Sequence, residues 1–451
     1  MRRMKISLLL TSALTAAMIL IGCSNNSETA AVGNGEGKVY YLNFKPEVSE
    51  VWEEIAQAYE EETGISVKVQ TAASGTYEQT LKSEMAKSGA PTLFQINGPI
   101  GYQNWKEYTM DLSEIDLYNT LLDKSLAITG VDEEGVYGLP YVVEGYGIIY
   151  NDEIMQRYFA LSGKGTNISS MEEINSFAVL KEVVEDMTAN KEALEIDGVF
   201  ASTSLSPGED WRWQTHLMNV SVYYEYQRDN VQDKAELDFG YNQNMKNIFD
   251  LYINNSCTEP SMLGAKSVDD SMSEFALGRV AMVQNGNWAW NQIKGVEGNI
   301  VSEENIKFLP IYTGVEGEEK QGLCVGTEGF LCINSKASEA DRAATINFLT
   351  WVFQSEKGKD YVTNQLGFIA PFNTFEENET PSDPLAQEVI RSMSDENLYG
   401  VPWVYTTFPS QTFKDDLGAD ISEYTSGQKD WDTLVEETIS EWKTEKAALS
   451  E

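Results

Sequence analysis

The sequence predicts an α/β protein, and three observations carry that expectation. A strand-like run, an amphipathic helical stripe and an alternating run succeed one another over residues 39–69. The same order starts again over residues 77–96. Of the 451 residues, 42% are hydrophobic and 11% aromatic, enough to fill the cores of two or three domains of roughly 100–200 residues each.

Each element has a local cause. Val39-Tyr40-Tyr41-Leu42 is a short apolar run and reads as a strand. Pro46 opens a helix, where its missing N–H costs little. Val48, Val51, Trp52, Ile55 and Tyr59 share one helical face, with Glu53, Glu54 and Glu60 to Glu62 off it. Gly64 is the candidate helix stop. Ile65, Val67 and Val69 alternate with polar residues, as a strand does. Together these form a βαβ unit and imply a parallel pair with a right-handed crossover. Tyr77, Leu81 and Met85 make the next helical stripe, followed by a strand over Thr92 to Ile96.

The Asn97-Gly98-Pro99-Ile100-Gly101 segment then reads as a loop at a strand's carboxyl end, where open α/β sheets bind ligands. Later, Met272, Phe275 and Ala276 mark a helix. Val280 to Val283 and Phe330 to Ile333 mark strands. Ser338 and Asp341 form a capping pair ahead of Ile346, Leu349 and Phe353. Trp431, Leu434, Val435, Ile439 and Trp442 stripe a C-terminal helix. Residues 373–402 are the longest irregular stretch, and no tandem repeat is present.

Composition excludes several functions. There are 71 Asp and Glu against 32 Lys and Arg, a formal charge of −39. Such a polyanion repels nucleic acid, whose binders neutralise phosphates with cations. His216 is the single histidine, so a multi-histidine zinc site is impossible and a catalytic triad has only that residue to draw on. No Walker A sequence, nucleophile elbow or calcium-loop pattern occurs. No cofactor and no metal are expected. Two suitably spaced carboxylates would suffice for a glycosidase, so an exported acidic glycoside hydrolase stays open.

The N-terminus reads as an address. Arg2, Arg3 and Lys5 precede an uncharged apolar run, Ile6 to Ile21, as in a secretory signal peptide. It ends in Leu20-Ile21-Gly22-Cys23, which resembles the bacterial lipobox, in which the Cys is lipidated. Residues 1–22 are thus an expected signal peptide, and 23–37 a lipidated Cys23 with a Ser/Asn/Gly-rich tether. Removing 1–22 takes away three positive charges and leaves the mature chain at −42. Cys257, Cys324 and Cys332 remain, expected buried, with a Cys324–Cys332 disulfide as the alternative.

The informative polar-apolar residues are aromatic. Trp211-Arg212-Trp213, Trp288-Ala289-Trp290, Trp403 and Tyr405 cluster with Gly, Asn and Pro in segments that read as loops. Flat rings there suit pyranose sugars, whose C–H faces stack while hydroxyls seek planar polar partners. Ordinary core packing is the other reading of each ring.

Six blocks together resemble the extracellular solute-binding proteins of ABC importers, in the group typified by maltose-binding protein. They are EVWEEIAQAYEEETGISVKVQ at 50–70, GAPTLFQINGP at 89–99, GVYGLPYVVEGYGIIYNDEI at 135–154 and FALGRVAMVQNGNWAWNQI at 275–293, then the run from Thr327 to Phe372 and the C-terminal block from Leu417 to Trp442.

The resemblance implies a two-lobed, type II periplasmic-binding-protein-like fold, each lobe a mixed sheet flanked by helices, with the ligand cleft between lobes. Lobe one would take 38–143 and 329–374, and lobe two 147–325 and 378–451. Hinge crossings would lie at 144–146, 326–328 and 375–377. Trp288 matches the family's ring-stacking Trp, with Asn287 in place of a Pro. Glu144 matches a crossing-segment carboxylate that accepts sugar hydroxyls; a structural hinge carboxylate is its other reading. Asn43 and Lys45 fall in the first strand-end loop, where the family places polar contacts. Trp403 stands near a second stacking position, though its flanks match poorly. Trp211, with Trp213 beside it, lies where lobe two supplies an aromatic contact. Asn97 and Gly98 wall the cleft. After Ile96 the maltose-specific residues are missing, which puts maltose itself in doubt.

What the resemblance implies is a sugar-binding lipoprotein, not an enzyme. Its expected partners are a sugar or oligosaccharide, an ABC permease and, through the lipid, the outer face of the cytoplasmic membrane. It is expected to be a monomer. Rivals are the hydrolase, a receptor for a non-sugar solute and a passive adhesin.

Overall fold

A computed structural model describes residues 37–449 except 74, 131–133, 203 and 377. The expected signal peptide and Cys23 lie outside the described residues, as does all but the last residue of the tether. The described chain carries two mixed six-stranded sheets flanked by helices.

The strands, in chain order, are β1 (Val39–Asn43), β2 (Val67–Thr71), β3 (Leu93–Asn97), β4 (Ile128–Thr129), β5 (Val136–Pro140), β6 (Glu144–Asn151), β7 (Gly198–Phe200), β8 (Val280–Gly286), β9 (Ile306–Leu309), β10 (Gln321–Gly326), β11 (Gly329–Ile333) and β12 (Tyr399–Pro402). The first sheet runs β2-β1-β3-β11-β5-β4. In it β1 pairs parallel with β2 and β3, while β11 lies antiparallel between β3 and β5. The second runs β12-β10-β6-β8-β7, with β9 also on β6.

The first βαβ unit forms as its pattern predicts. Pro46–Val48 is a 3-10 turn, and α1 spans Ser49–Thr63. Trp52, Ile55 and Tyr59 are buried on its inner face, and Trp52 meets Tyr41 edge-on at 4.9 Å. Helix α2 spans Tyr77–Met85 and buries Tyr77, Leu81 and Met85. Alternation along each strand sends side chains to opposite faces. Tyr41, Leu93, Leu331 and Ile333 enter one core of the first sheet, while Leu42, Phe94, Ile96 and Phe330 enter the other. Similarly, Tyr146, Ile148 and Tyr150 of β6 face one core of the second sheet, and Ile149 the other. All eight residues of β6 are buried.

Two local expectations are corrected. Asn97–Gly101 is not an irregular loop: helix α3 spans Gly98–Trp105 and begins at once after β3. Pro99 suits a first helical turn, and Gly98 takes φ +65°, which lets the strand turn sharply into it. Nor is 373–402 irregular throughout. It holds a helix at Pro384–Ser394, whose first amides are accepted by Asp383, and then β12. Cys324 and Cys332 are buried free thiols, and Cys257 is a partly buried one, so the disulfide alternative does not form.

The chain passes from the first sheet to the second between β5 and β6, returns between β10 and β11, and passes again before β12. These passages lie close together. The Val143 amide donates to the Ile369 carbonyl at 2.8 Å, and Glu144 and Gly145 pair with Gly326 and Val325. No helix of the described residues is long and apolar enough to cross a membrane.

Candidate functional site

Lys45, just past the carboxyl end of β1 in the first sheet, meets Glu144, the first residue of β6 in the second. Lys45 Nζ donates to both oxygens of Glu144, at 2.7 and 2.9 Å, and stands 3.6 Å from Glu47. Both side chains are buried, at 7% and 4% exposure. Burial opposes the charge on Lys45, but Glu144 and Glu47 outweigh it and hold the ammonium above its usual range. Burial likewise pushes the Glu144 carboxyl up, against the pull of Lys45. The contact is two-pointed and charge-assisted.

Asn43 builds the loop that presents Lys45. Its amide donates to the Lys45 carbonyl and Thr71 Oγ1, and its oxygen accepts from the Lys45 amide. Asn43 is therefore engaged with its own loop and with the neighbouring ends of β1 and β2.

An aromatic cage lies beside this ion pair. Lys45 Nζ is 5.9 Å from the centroid of the Trp288 ring and 5.9 Å from that of Phe368. Trp288 packs 5.8 Å from Trp211, 5.6 Å from His216 and 6.4 Å from Trp403. His216 stacks flat on Tyr146, with ring centroids 4.1 Å apart and planes at 6°. Tyr405 completes the group, 5.3 Å from Trp403 and 5.4 Å from His216.

Two glycines make the cage possible by their lack of a side chain. A Cβ on Gly286 would meet the Trp288 ring at 2.2 Å, and one on Gly326 would meet the Trp403 ring at 2.5 Å. Asn287 is a brace. Its side-chain oxygen accepts from the Gly145 amide at 2.9 Å, and its own amide donates to the Gly145 carbonyl at 3.0 Å. That double link sets Trp288 beside the start of β6.

Trp288 and Trp403 sit in short connections just before helical turns, as their Gly, Asn and Pro neighbours suggested, whereas Trp211 is already helical and Tyr146 lies in β6. Trp211 leads into a wide, π-type turn over Arg212–Leu217, continued by the helix Met218–Asp229. Trp288 immediately precedes the helix Ala289–Lys294, and Trp403 a short 3-10 turn. The wide turn splits its residues between two sides. His216 faces the cage, whereas Trp213 packs on Phe249 and Tyr252 at 5.5 and 5.4 Å. Trp213 is thus separate from the other predicted rings.

Asn97 and Gly98 lie on the first-sheet side. Asn97 Oδ1 is buried without a hydrogen-bond partner, and a Cβ on Gly98 would stand 3.0 Å from Thr406 Cβ. Next to them a cavity of about 580 Å³ opens between α3 and Ser125–Gly130 on one side and Val325–Thr327 and Trp403 on the other. Its volume is in the range of small-molecule sites.

Several buried polar atoms here have no hydrogen-bond partner among the described residues: Trp288 Nε1, Trp403 Nε1, Arg212 Nε, His216 Nδ1 and Thr327 Oγ1. Each such group costs about 1–3 kcal/mol unless something bonds it. His216 is 3% exposed. Burial, with Arg212 and Lys414 nearby, holds its imidazole well below the usual range, so it is a neutral ring. The site offers aromatic faces, an ion pair and unpaired hydrogen-bonding atoms, a set suited to holding a polar ring.

Sequence reasoning singled out Trp211, Trp288, Trp403, Glu144 and Lys45, which the fold gathers here. It gave His216 no role and passed over Tyr146 and Phe368. The flat stack of His216 on Tyr146 joins residues 70 positions apart, a pairing that no local spacing announces.

Residues 54–388 match the family described as bacterial extracellular solute-binding proteins. No curated protein matches the sequence. Among solved structures, a chitin oligosaccharide binding protein is similar with a TM-score of 0.69 and 16% identity, over 91% of this chain and 100% of that one. The protein RafE in complex with raffinose gives 0.67 and 17%, over 91% and 99%. A maltose-bound protein of T. maritima gives 0.65 and 14%, over 90% and 99%. At these identities the likeness is one of fold.

Proposed function

We propose a function from one premise: the chain belongs to the bacterial extracellular solute-binding proteins. It is the sugar-binding receptor of an ABC importer, and it captures a saccharide without chemical change. The observation that supports this reading best is the cage of Trp211, Trp288, Trp403, His216 and Tyr146 set against the Lys45–Glu144 pair. Sugar rings stack their C–H faces on such rings, and their hydroxyls bond the indole N–H groups and the carboxylate. Solved proteins of similar fold were crystallised with raffinose and maltose, which adds weight to a saccharide.

Capture works by population shift. We read residues 144–146, 326–328 and 375–377 as the hinge between lobes at 38–143 with 329–374 and 147–325 with 378–451. A solute that touches both lobes only when they are closed favours the closed state. A permease then recognises that shape. Cys23 carries the lipid in this reading and holds a monomer at the outer face of the cytoplasmic membrane.

Titrating the purified protein with a panel of mono- and oligosaccharides tests the reading. The expected result is a quench or shift of tryptophan fluorescence and a raised melting temperature with at least one glycan. Absence of both across the panel overturns a sugar receptor. Release of reducing sugar from any bound glycan overturns the non-catalytic reading and favours the hydrolase.

A further inference from the structure

The cage contains a cation that the protein leaves almost unanswered. Arg212 is 2% exposed. Its guanidinium lies 3.8 Å from the centre of the Trp211 ring, and Nη1 makes one long hydrogen bond, 3.4 Å, to the Glu209 carbonyl. Its Nε has no partner, and among the described residues it forms no ion pair. Burial disfavours its charge, and Glu209 and Glu47 offset that only from a distance.

The carboxylates that bear on it are not paired with it. Glu47 stands 3.6 Å from Lys45 Nζ, which also holds Glu144. Glu209 takes the Val268 amide at 2.7 Å. A buried guanidinium without a carboxylate is costly, so its retention calls for an anion that arrives with something else.

Two further observations agree. Lys414, partly buried 5.8 Å from the Tyr405 ring, also lacks an ion pair among the described residues. Of the unpaired atoms in the site, those of Trp288, Trp403 and Arg212 are obligate donors, Asn97 Oδ1 and Gln284 Oε1 are acceptors, and His216 Nδ1 and Thr327 Oγ1 can serve either way. A carboxylate only accepts and so matches the obligate donors.

We propose, resting on the sugar-receptor reading above, that the solute is an acidic saccharide containing a hexuronate ring, whose carboxylate is bound by Arg212 beside Trp211 and Trp288. The planar guanidinium fork matches a planar carboxylate at two points, and one arginine is enough for that geometry. Arg212 thereby determines specificity.

The test is calorimetric binding of galacturonate, glucuronate and mannuronate di- and trisaccharides, each beside its methyl ester. The ester keeps the ring and removes the charge. The expected result is at least one free uronate binding roughly 10- to 100-fold tighter than its ester. R212Q should erase that difference. The wild-type comparison stands even if R212Q fails to fold. Equal affinity for acid and ester, or tight binding confined to neutral or sulfated sugars, overturns the uronate assignment and leaves the sugar receptor standing. Failure of every saccharide, charged or neutral, overturns both.

Discussion

Replacing Lys45 with methionine isolates the ion pair between the two sheets. Met keeps the length and apolar stem of the side chain but strands the Glu144 carboxylate at 4% exposure. Removing one member of a buried pair costs about 3–5 kcal/mol. About 410 residues are described, and at roughly 2.1 cal/mol/K per residue the unfolding entropy near the melting point is about 0.9 kcal/mol/K. K45M should therefore melt about 3–6 °C below wild type.

Glu144→Gln on top of K45M removes the stranded charge. The double variant should recover half or more of the loss, as it would not if the two residues acted independently. Differential scanning calorimetry at neutral pH reads both shifts. A K45M shift below about 1 °C, or a double variant no more stable than K45M alone, would refute the reasoning.

Other outcomes follow from the structure. Trp288→Ala should weaken binding of whichever saccharide the panel identifies by roughly 30-fold or more, as for a central aromatic anchor. Trp213→Phe, on the far side of the turn, should leave that affinity within about twofold; an equal loss at both would contradict the cage. Because His216 is the single histidine, its imidazole nitrogens can be followed without overlap by NMR; they should stay neutral from pH 8 down through the ordinary histidine range near 6.5, and a midpoint there would show the ring is not buried as described. Burial raises the Asp383 carboxyl to about 6, above its unfolded value of about 3.9. A raised folded pKa gives stability that is complete below the unfolded value and is lost as pH rises through the folded one. Asn keeps the cap acceptor for the Leu385 and Ala386 amides, so D383N should melt above wild type at pH 7.5 and equal it near pH 4; a constant difference across that range would argue against the shift.

The parts of the fold that were legible in the sequence are those where one face is apolar. Trp52, Ile55 and Tyr59 repeat at helical spacing, and Val67 and Val69 alternate, so α1 and β2 follow from local pattern. The helix Pro384–Ser394 carried an Asp-Pro start signal, but the Asn, Glu, Pro and Ser around it outweighed a stripe of only Leu385, Ala386 and Val389. The site was half legible. Its tryptophans stand out by rarity and by their glycine and asparagine neighbours. Asn43 and Asn287 have the right chemistry for a ligand, yet the fold uses both to brace backbone. Tyr146 lies in the fully buried β6, where a sequence pattern gives no sign of which core residue borders a binding surface.

The wide turn at Arg212–Leu217 has a consequence for how this receptor changes its preference. A π-type turn holds one residue more than an α turn and can be closed by a single deletion. Such a deletion would leave the helix Met218–Asp229 seated through its buried Val220, Val222 and Tyr226. Trp211 just before the turn and Arg212 at its first position would swing by about 100°, the angle one residue subtends on a helix. One lost codon would rotate a ring and a charge out of the cage together, and would shift the Trp213 packing with them.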